Sequence, residues 1–371
     1  MTRDNVRINR YSRQQIMAEI GDAGQAKLLA SKVLVIGAGG LGSPVISYLA
    51  AAGVGTIGIV DYDRVDISNL HRQLIHSESS IGTLKSESGA DFVSKINSEV
   101  TVITHSTRLS ELNAILILKE YDLVVDGSDN LSTRYLVSDA CVILEIPLVF
   151  GSVLQFDGQV SVFDSPEGPC YRCAFPTPPP ADSVPNCALA GVLGSVCGTI
   201  GTIMATEAVK ILIGIDTTLR GKILVYSAKA SEFDQIPVSK NHRCKACSVK
   251  KDERTLENDY RQLCGEPSTL TIDALSEYLE SRAVMLLDVR SQQEFAKGNI
   301  PGSINLPVEI FATEFPKLVL EEEEILVLYC ETGKRSSACF ALISQAIKSK
   351  SFTLEGGYSA WNSRRSSSGA R

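Results

Sequence analysis

Residues 33–42, Val-Leu-Val-Ile-Gly-Ala-Gly-Gly-Leu-Gly, decide the fold. The first four are apolar and read as a short buried strand. The glycine turn follows at once, and an Ala-rich apolar run over 44–52 reads as a helix. A strand feeding a glycine turn that opens a helix is the phosphate-binding device of doubly wound α/β sheets. Glycines let the backbone turn tightly and approach phosphate oxygens. The helix N-terminus adds unpaired N–H groups and a partial positive charge. Residues 56–60 read as the next strand and end at Asp61, about 20 residues after the turn, where an acid for the ribose is expected.

Further along stand Asn69, Arg72 and Lys85, polar groups downstream of the nucleotide strand. Each alone reads as surface; grouped, they suggest a polyphosphate site. Residues 123–126 read as another buried strand, followed by Gly127-Ser128-Asp129-Asn130. An acid just past the C-terminal end of a parallel strand sits where such sheets bind ligand, so Asp129 is a candidate magnesium or phosphate-side group. It also fits as the N-cap of a helix starting near Ser132. No GxxxxGK[ST] motif occurs, which excludes a P-loop NTPase. Arg72 and Lys85 favour a free triphosphate over the bridged pyrophosphate of NAD. Arg10 and Arg13, ahead of a polar helix running to about Ala30, read on charge alone as surface. Residues 111–120 read as a helix.

The net charge of −7 and pI of about 5.3 leave no electrostatic footprint for nucleic acid, and nothing marks a membrane surface. The polar N-terminus lacks an apolar signal core, so a cytoplasmic protein with mostly reduced thiols is expected. The apolar stretch 188–214, rich in Gly and Thr and interrupted by Glu207 and Lys210, reads as a buried helix pair rather than a membrane span. In a reduced compartment the ten cysteines are candidates for metal binding and catalysis. Cys170 and Cys173 form one CxxC pair, and Cys244 and Cys247 form another. Four thiolates make a tetrahedral zinc site, and pairs this far apart clip two distant segments, which is a structural role. A proline-rich loop over 176–186 leads to Cys187, just ahead of an apolar helix, where a thiolate is stabilised. Cys187 is a candidate nucleophile.

Residues 251–268 are charged and read as a linker. A second α/β pattern follows, with an apolar strand over 325–329 that ends at Cys330. Glu331-Thr332-Gly333-Lys334-Arg335 and then a helix come next. Such a loop wraps N–H groups around the sulfur and stabilises an anion there, thiolate or persulfide. Lys334 and Arg335 add positive charge. Cysteine phosphatases need one more residue between Cys and Arg, which counts against that chemistry. The Ser/Arg-rich tail, 363–371, has no apolar face and is expected to be disordered.

On these motifs, residues 10–250 resemble the ubiquitin-activating-enzyme-like adenylyltransferases that act on small sulfur-carrier proteins, through RYSRQ, GAGGLGS, DYDRVDISNLHRQ, GTLKSES, DGSDN and the two CxxC pairs. Residues 269–362 resemble a rhodanese domain, through LLDVR, EF, IPGSINLP, CETGKRS and GGYSAW. The tandem is similar to adenylyltransferase–sulfurtransferase fusions. The fold implied is a Rossmann-like doubly wound sheet over 1–250, a linker over 251–268, a smaller α/β rhodanese domain over 269–362 and a disordered tail over 363–371.

The resemblance implies that Gly39, Gly40 and Gly42 line the phosphates of ATP, and that Asp61 holds the ribose. It implies that Asn69, Arg72 and Lys85 contact phosphates and that Asp129 works with Mg2+. Arg13 would reach the active site of the second copy in a homodimer. Cys170, Cys173, Cys244 and Cys247 would hold Zn2+, Cys187 would be the crossover-loop cysteine, and Cys330 would form the persulfide. The implied partners are a ubiquitin-like carrier ending in Gly-Gly and a sulfur donor such as a cysteine desulfurase or thiosulfate. The implied reaction is adenylation of the carrier's C-terminal glycine, then sulfur transfer to give a thiocarboxylate. The other readings are an activator that holds the carrier as a thioester on Cys187, or a non-catalytic scaffold. The sequence leaves open which carrier and pathway are served, molybdenum cofactor and tRNA thiolation among them.

Overall fold

The computed structural model describes residues 10–368, apart from 166, 180–189, 217–218, 265–267, 282–283, 319–324 and 344–350. The chain forms two compact units. The first takes Met1–Thr177 and Ala190–Asn258, and the second takes Asp259–Arg371.

In the first unit eight strands form one sheet: β1 (Lys32–Ile36), β2 (Thr56–Val60), β3 (Thr101–His105), β4 (Leu123–Asp126), β5 (Leu148–Leu154), β6 (Asp157–Phe163), β7 (Lys222–Ser227) and β8 (Glu232–Pro237). Their order is β3-β2-β1-β4-β5-β6-β7-β8. The first five run parallel and the last three join antiparallel. Val33, Leu34 and Val35 are fully buried. A strand covered on both faces carries no polar alternation, which is why 33–36 is apolar throughout. Strand order reverses between β1 and β4, and this opens a crevice at their C-terminal ends.

The helix Gly42–Ala52 follows β1 and stops at Gly53, whose φ of 82° is left-handed. The N–H of Gly53 then reaches Ala50 O, and that of Val54 reaches Leu49 O, closing the exposed carbonyls of the last turn. Among the described residues, the apolar stretch expected as a helix pair contains a single long helix, Gly194–Ile213. It is long and apolar enough to cross a membrane, yet half of it is buried inside the fold. Val196, Ile200, Met204 and Ala208 lie in the core beside β5 and β6. Its glycines serve close packing and do not break it: a Cβ on Gly201 would stand 2.3 Å from the Pro44 ring.

In the second unit β9 (Ser268–Leu270), β10 (Val284–Asp288), β11 (Ile304–Asn305), β12 (Ile325–Tyr329) and β13 (Ser351–Leu354) form a sheet in the order β11-β10-β12-β13-β9. All its pairings are parallel. The central strand, β12, is buried along its whole length and delivers Cys330 at its C-terminal end.

Several local expectations need correction. The polar N-terminal helix is two pieces, 10–15 and Gly21–Ala30. The helix expected over 111–120 is only Ala114–Leu118. The start of the expected linker is packed on the first unit: Lys251 pairs with Glu145, and Arg254 donates to Val142 O and Glu145. Residues 363–368 of the tail expected to be disordered continue a helix, Gly357–Ser368, and Arg364 pairs with Asp273; 369–371 lie outside the described residues.

Candidate functional site

The crevice at β1 and β4 is built from two touching turns. Gly37 has a φ of +86°, and a Cβ on Gly42 would fall 1.8 Å from the carbonyl of Gly37. Only glycine fits either place. Across the crevice, the backbone after β4 lies against this turn: a Cβ on Gly37 would be 3.2 Å from Gly127 O. The candidate residues gather here. Asp61 accepts the N–H groups of Ala38 and Asp63, each at 2.9 Å. Burial pushes its carboxyl above the ordinary aspartate range, against the pull of Lys85.

Lys85 is 4% exposed and opens the helix Lys85–Ile96. Its ammonium stands 3.1 Å from Asp63 Oδ2, while its N–H donates to Asp63 O. Asp63 thus ties Asp61 to Lys85, a link that spacing along the chain does not signal. Asn69 is buried in the turn Ile67–Asn69. Arg72 donates to Ser68 O, and its Cδ would lie 3.6 Å from a Cβ on Gly40, so the guanidinium's stem runs alongside the glycine turn. Gln73 Nε2 is equally close to Gly39, and Gln73 Oε1 is buried without a hydrogen-bond partner.

Asp129 is exposed at the end of β4. It is not the helix cap that its position allowed: the side chain of Asn130 caps the helix Leu131–Leu144 by accepting from Thr133 N. Asp126, 1% exposed, accepts from Ser128 N through Oδ1 and keeps Oδ2 without a partner. A buried carboxylate oxygen left unpaired beside an exposed acid suits a cation. Arg13 is exposed on the first short helix. Cys187 lies outside the described residues.

His76 is a further member of the site that nothing near it in sequence signals. Its Nε2–H donates to Ala38 O at 2.9 Å, and its Nδ1 accepts from the Ser88 hydroxyl at 2.8 Å. The carbonyl can only accept, which fixes the tautomer. The imidazole therefore holds the glycine turn from beneath. Burial lowers its pKa below the ordinary 6.5, so the unfolded chain binds more protons below that pH and stability falls as pH drops through it. His76→Gln keeps a donor and removes the titration. It should flatten the fall in urea midpoint below about pH 6.5; parallel pH profiles for the two proteins would contradict this role.

Cys170, Cys173, Cys244 and Cys247 come together as four sulfurs within 4.8 Å of one another. Neighbouring sulfurs are 3.5–3.8 Å apart. Metal–sulfur bonds of about 2.3 Å in a tetrahedron give edges of about 3.8 Å, so the four thiols are placed to bind one metal ion. Hydrogen bonds from Cys170 and Cys247 hold the Cys244 thiol well below its ordinary value. Asn241 N donates to Cys173 Sγ, and Arg172 makes a buried two-pronged pair with Asp139 on the helix Leu131–Leu144. The knuckle thus clips residues near 172 and 245 to the helix that leaves the Asp129 turn. Cys173→Ser is expected to abolish metal retention and lower the melting temperature by roughly 10 °C. Metal content by atomic spectroscopy and a thermal scan check it, and full retention of metal would contradict it.

In the second unit Cys330 is 1% exposed. Its Sγ accepts the Gly333 N–H at 3.1 Å, with the Ser336 hydroxyl at 3.8 Å. Gly333 has a φ of +95°, which turns the loop back over the sulfur. Tyr358 N donates to Cys330 O at 2.8 Å, and a Cβ on Gly357 would collide with that carbonyl. The loop is a backbone cradle for an anionic sulfur. Its arginine serves two partners: Arg335 forks onto Glu294 at 2.8 and 2.6 Å and also interacts with Cys330, and both raise the guanidinium's pKa. Sequence reasoning assigned no role to Glu294, Arg290 or Glu331, although Ser291 and Glu294 have the spacing of a helix-capping box.

The ThiF family matches residues 11–247, and the Rhodanese-like domain family matches residues 271–364. An "Adenylyltransferase and sulfurtransferase MOCS3" of Culex quinquefasciatus is 40% identical, with 96% of this chain and 88% of that protein covered. A "Probable adenylyltransferase/sulfurtransferase MoeZ" of Mycobacterium tuberculosis is 42% identical, with 95% and 92% covered. Among solved structures, MccB of E. coli has a TM-score of 0.58 at 21% identity, covering 67% of this chain and 74% of its own. That last likeness speaks for the fold alone.

Proposed function

This chain belongs to the ThiF family and carries a rhodanese-like domain after it, and from that membership we propose how its two sites work in sequence. It is an enzyme, an adenylyltransferase and sulfurtransferase. It uses ATP to adenylate the C-terminal glycine of a ubiquitin-like sulfur carrier, and it then transfers sulfur to that carrier. The observation that carries this reading is the presence, in one chain, of a glycine-turn crevice edged by Asp61, Arg72 and Lys85 and of a backbone cradle around Cys330.

In the crevice, N–H groups of the turn that holds Gly39, Gly40 and Gly42 face the phosphates, and Asp61 accepts from the ribose hydroxyls. The carrier's carboxylate attacks the α-phosphorus and pyrophosphate leaves. Arg72 and Lys85 stabilise the charge that grows on the phosphate oxygens, and Asn69 orients them. Asp129 and Asp126 would hold Mg2+, whose charge offsets that of the triphosphate. The four cysteines would hold Zn2+ in a structural role. In the second unit, Cys330 carries the sulfur as a persulfide, which attacks the activated carbonyl and displaces AMP. Cys187 then attacks the acyl disulfide, the thiocarboxylate leaves, and a disulfide remains for cellular thiols to reduce. The active form is a homodimer in which Arg13 reaches the second copy's crevice, and its compartment is the cytoplasm. Molybdenum cofactor biosynthesis and tRNA thiolation are the outlets that suit such a product.

The test is the intact mass of a carrier ending in Gly-Gly after incubation with the protein, ATP, magnesium and a sulfur donor. The expected product has one oxygen replaced by sulfur. A carrier recovered unchanged would overturn the reading. A thiol-sensitive adduct lost in Cys187→Ala would favour the thioester-holding activator.

A further inference from the structure

The short helix 10–15 that carries Arg13 is fastened to the first unit by the residues around that arginine. Tyr11 is 2% exposed. Its hydroxyl accepts from Asn97 Nδ2 at 2.8 Å and donates to Glu99 Oε2 at 3.3 Å. Asn97 is fully buried and also donates to Ala50 O at 2.9 Å. The Tyr11 ring lies over Gly53, where a Cβ would fall 2.5 Å from it. Gln14 donates to Ala52 O at 2.8 Å and to Gln25, which itself donates to Ala52 O. Arg10 donates to Ile96 O at 2.9 Å. Arg13, between Tyr11 and Gln14, is exposed.

This socket is made from the far ends of two helices that open at the crevice. Ala50, Ala52 and Gly53 close the helix Gly42–Ala52, which starts at the glycine turn. Ile96 and Asn97 close the helix Lys85–Ile96, which starts at the phosphate-side lysine. At about 1.5 Å per residue the two helices are rods of about 16 and 18 Å. The socket therefore holds Arg13 roughly a helix length from the crevice of its own chain, further than an arginine side chain extends. That placement suits a guanidinium delivered to another copy.

We propose that Tyr11 and Gln14 are positioning residues for adenylation in the second copy: they lock the helix 10–15 onto the socket so that Arg13 is presented outward to the partner's crevice. This rests on the reading that Arg13 works across a homodimer. Tyr11 and Gln14 touch no substrate and act through Arg13. Misplacing a group that serves the transition state costs up to about a hundredfold in rate. Tyr11→Ala is expected to lower carrier-dependent ATP–pyrophosphate exchange by about that factor, and Gln14→Ala by less. Tyr11→Ala combined with Arg13→Ala is no slower than Arg13→Ala alone, because the two act as one unit.

The experiment pairs full-length subunits that carry different affinity tags, so that only mixed dimers are isolated. A Tyr11→Ala copy keeps its crevice, and a Lys85→Met copy keeps its Arg13. In their mixed dimer the Lys85→Met copy supplies Arg13 to the Tyr11→Ala crevice, and exchange returns to about half the wild-type rate, since one of two equivalent sites is complete. A Tyr11→Ala copy that had lost its fold would show no recovery, so recovery separates positioning from damage. Gln14→Ala paired with Lys85→Met is expected to recover in the same way and keeps the test available if Tyr11→Ala is insoluble. Arg13→Ala paired with Lys85→Met tests the reading beneath: failure to form that dimer, or no recovery in it, removes the role of Arg13 across the dimer. Recovery there, with the Tyr11 and Gln14 variants either at the wild-type rate by themselves or without recovery when paired, overturns the proposal.

Discussion

Replacing Cys330 with alanine will lower thiocarboxylate output by more than about a thousandfold, as expected for loss of a covalent nucleophile. Carrier-dependent ATP–pyrophosphate exchange will stay within about threefold of wild type. The two readouts part because the sulfur is held in a different unit from the nucleotide turn. Alanine also leaves the Gly333 N–H without its acceptor, at a cost of about 1–3 kcal/mol to the loop. Cys330→Ser is the control, since its hydroxyl can still accept that N–H but cannot carry a persulfide. If both variants load sulfur on another residue and turn over at the wild-type rate, Cys330 is not the carrier.

The second large effect belongs to Lys85. Its ammonium is nearly buried, and Asp63 is the carboxylate beside it. A cation held this way is aimed before the phosphate arrives, and removing one such group costs about a hundred- to a thousandfold in rate. Lys85→Met keeps the apolar stem and removes the charge. It should lower exchange by that factor while metal content and Cys330 persulfidation remain as in wild type. Exchange at the wild-type rate in folded Lys85→Met would place the phosphate elsewhere.

The parts of the molecule that sequence makes readable are those with a local grammar. The glycine turn is one: Gly42 is demanded by a carbonyl only five residues away, so the requirement is written within the motif itself. The paired CxxC motifs are another, since two such pairs have the spacing of metal-binding cysteines. Cys330 is a third, because strand, cysteine, glycine and helix follow one another without interruption.

What stayed hidden depends on partners distant in sequence. Arg335 reads as a cation serving its own loop, and only the fold brings Glu294 from the helix Gln292–Lys297 to pair with it. Asp63 and His76 belong to the nucleotide turn through contacts with Lys85 and Ala38 that no spacing rule predicts. The Gly- and Thr-rich stretch before Gly214, interrupted by Glu207 and Lys210, reads as a helix pair, yet its described residues hold one long helix. Here Gly201 is a point of close approach to Pro44, and its cost in helix propensity is offset by packing. The Ser/Arg tail lacks an apolar face, but its helix begins at Gly357 against the Cys330 carbonyl, so its start is set by the loop it supports.

The most direct test of the account is ATP–pyrophosphate exchange by the metal-loaded protein, measured with and without a ubiquitin-like carrier ending in Gly-Gly. Exchange that appears only with the carrier, and disappears when the carrier's last glycine is deleted, is the predicted result. No exchange with any such carrier, from protein that retains its metal and its fold, would contradict it.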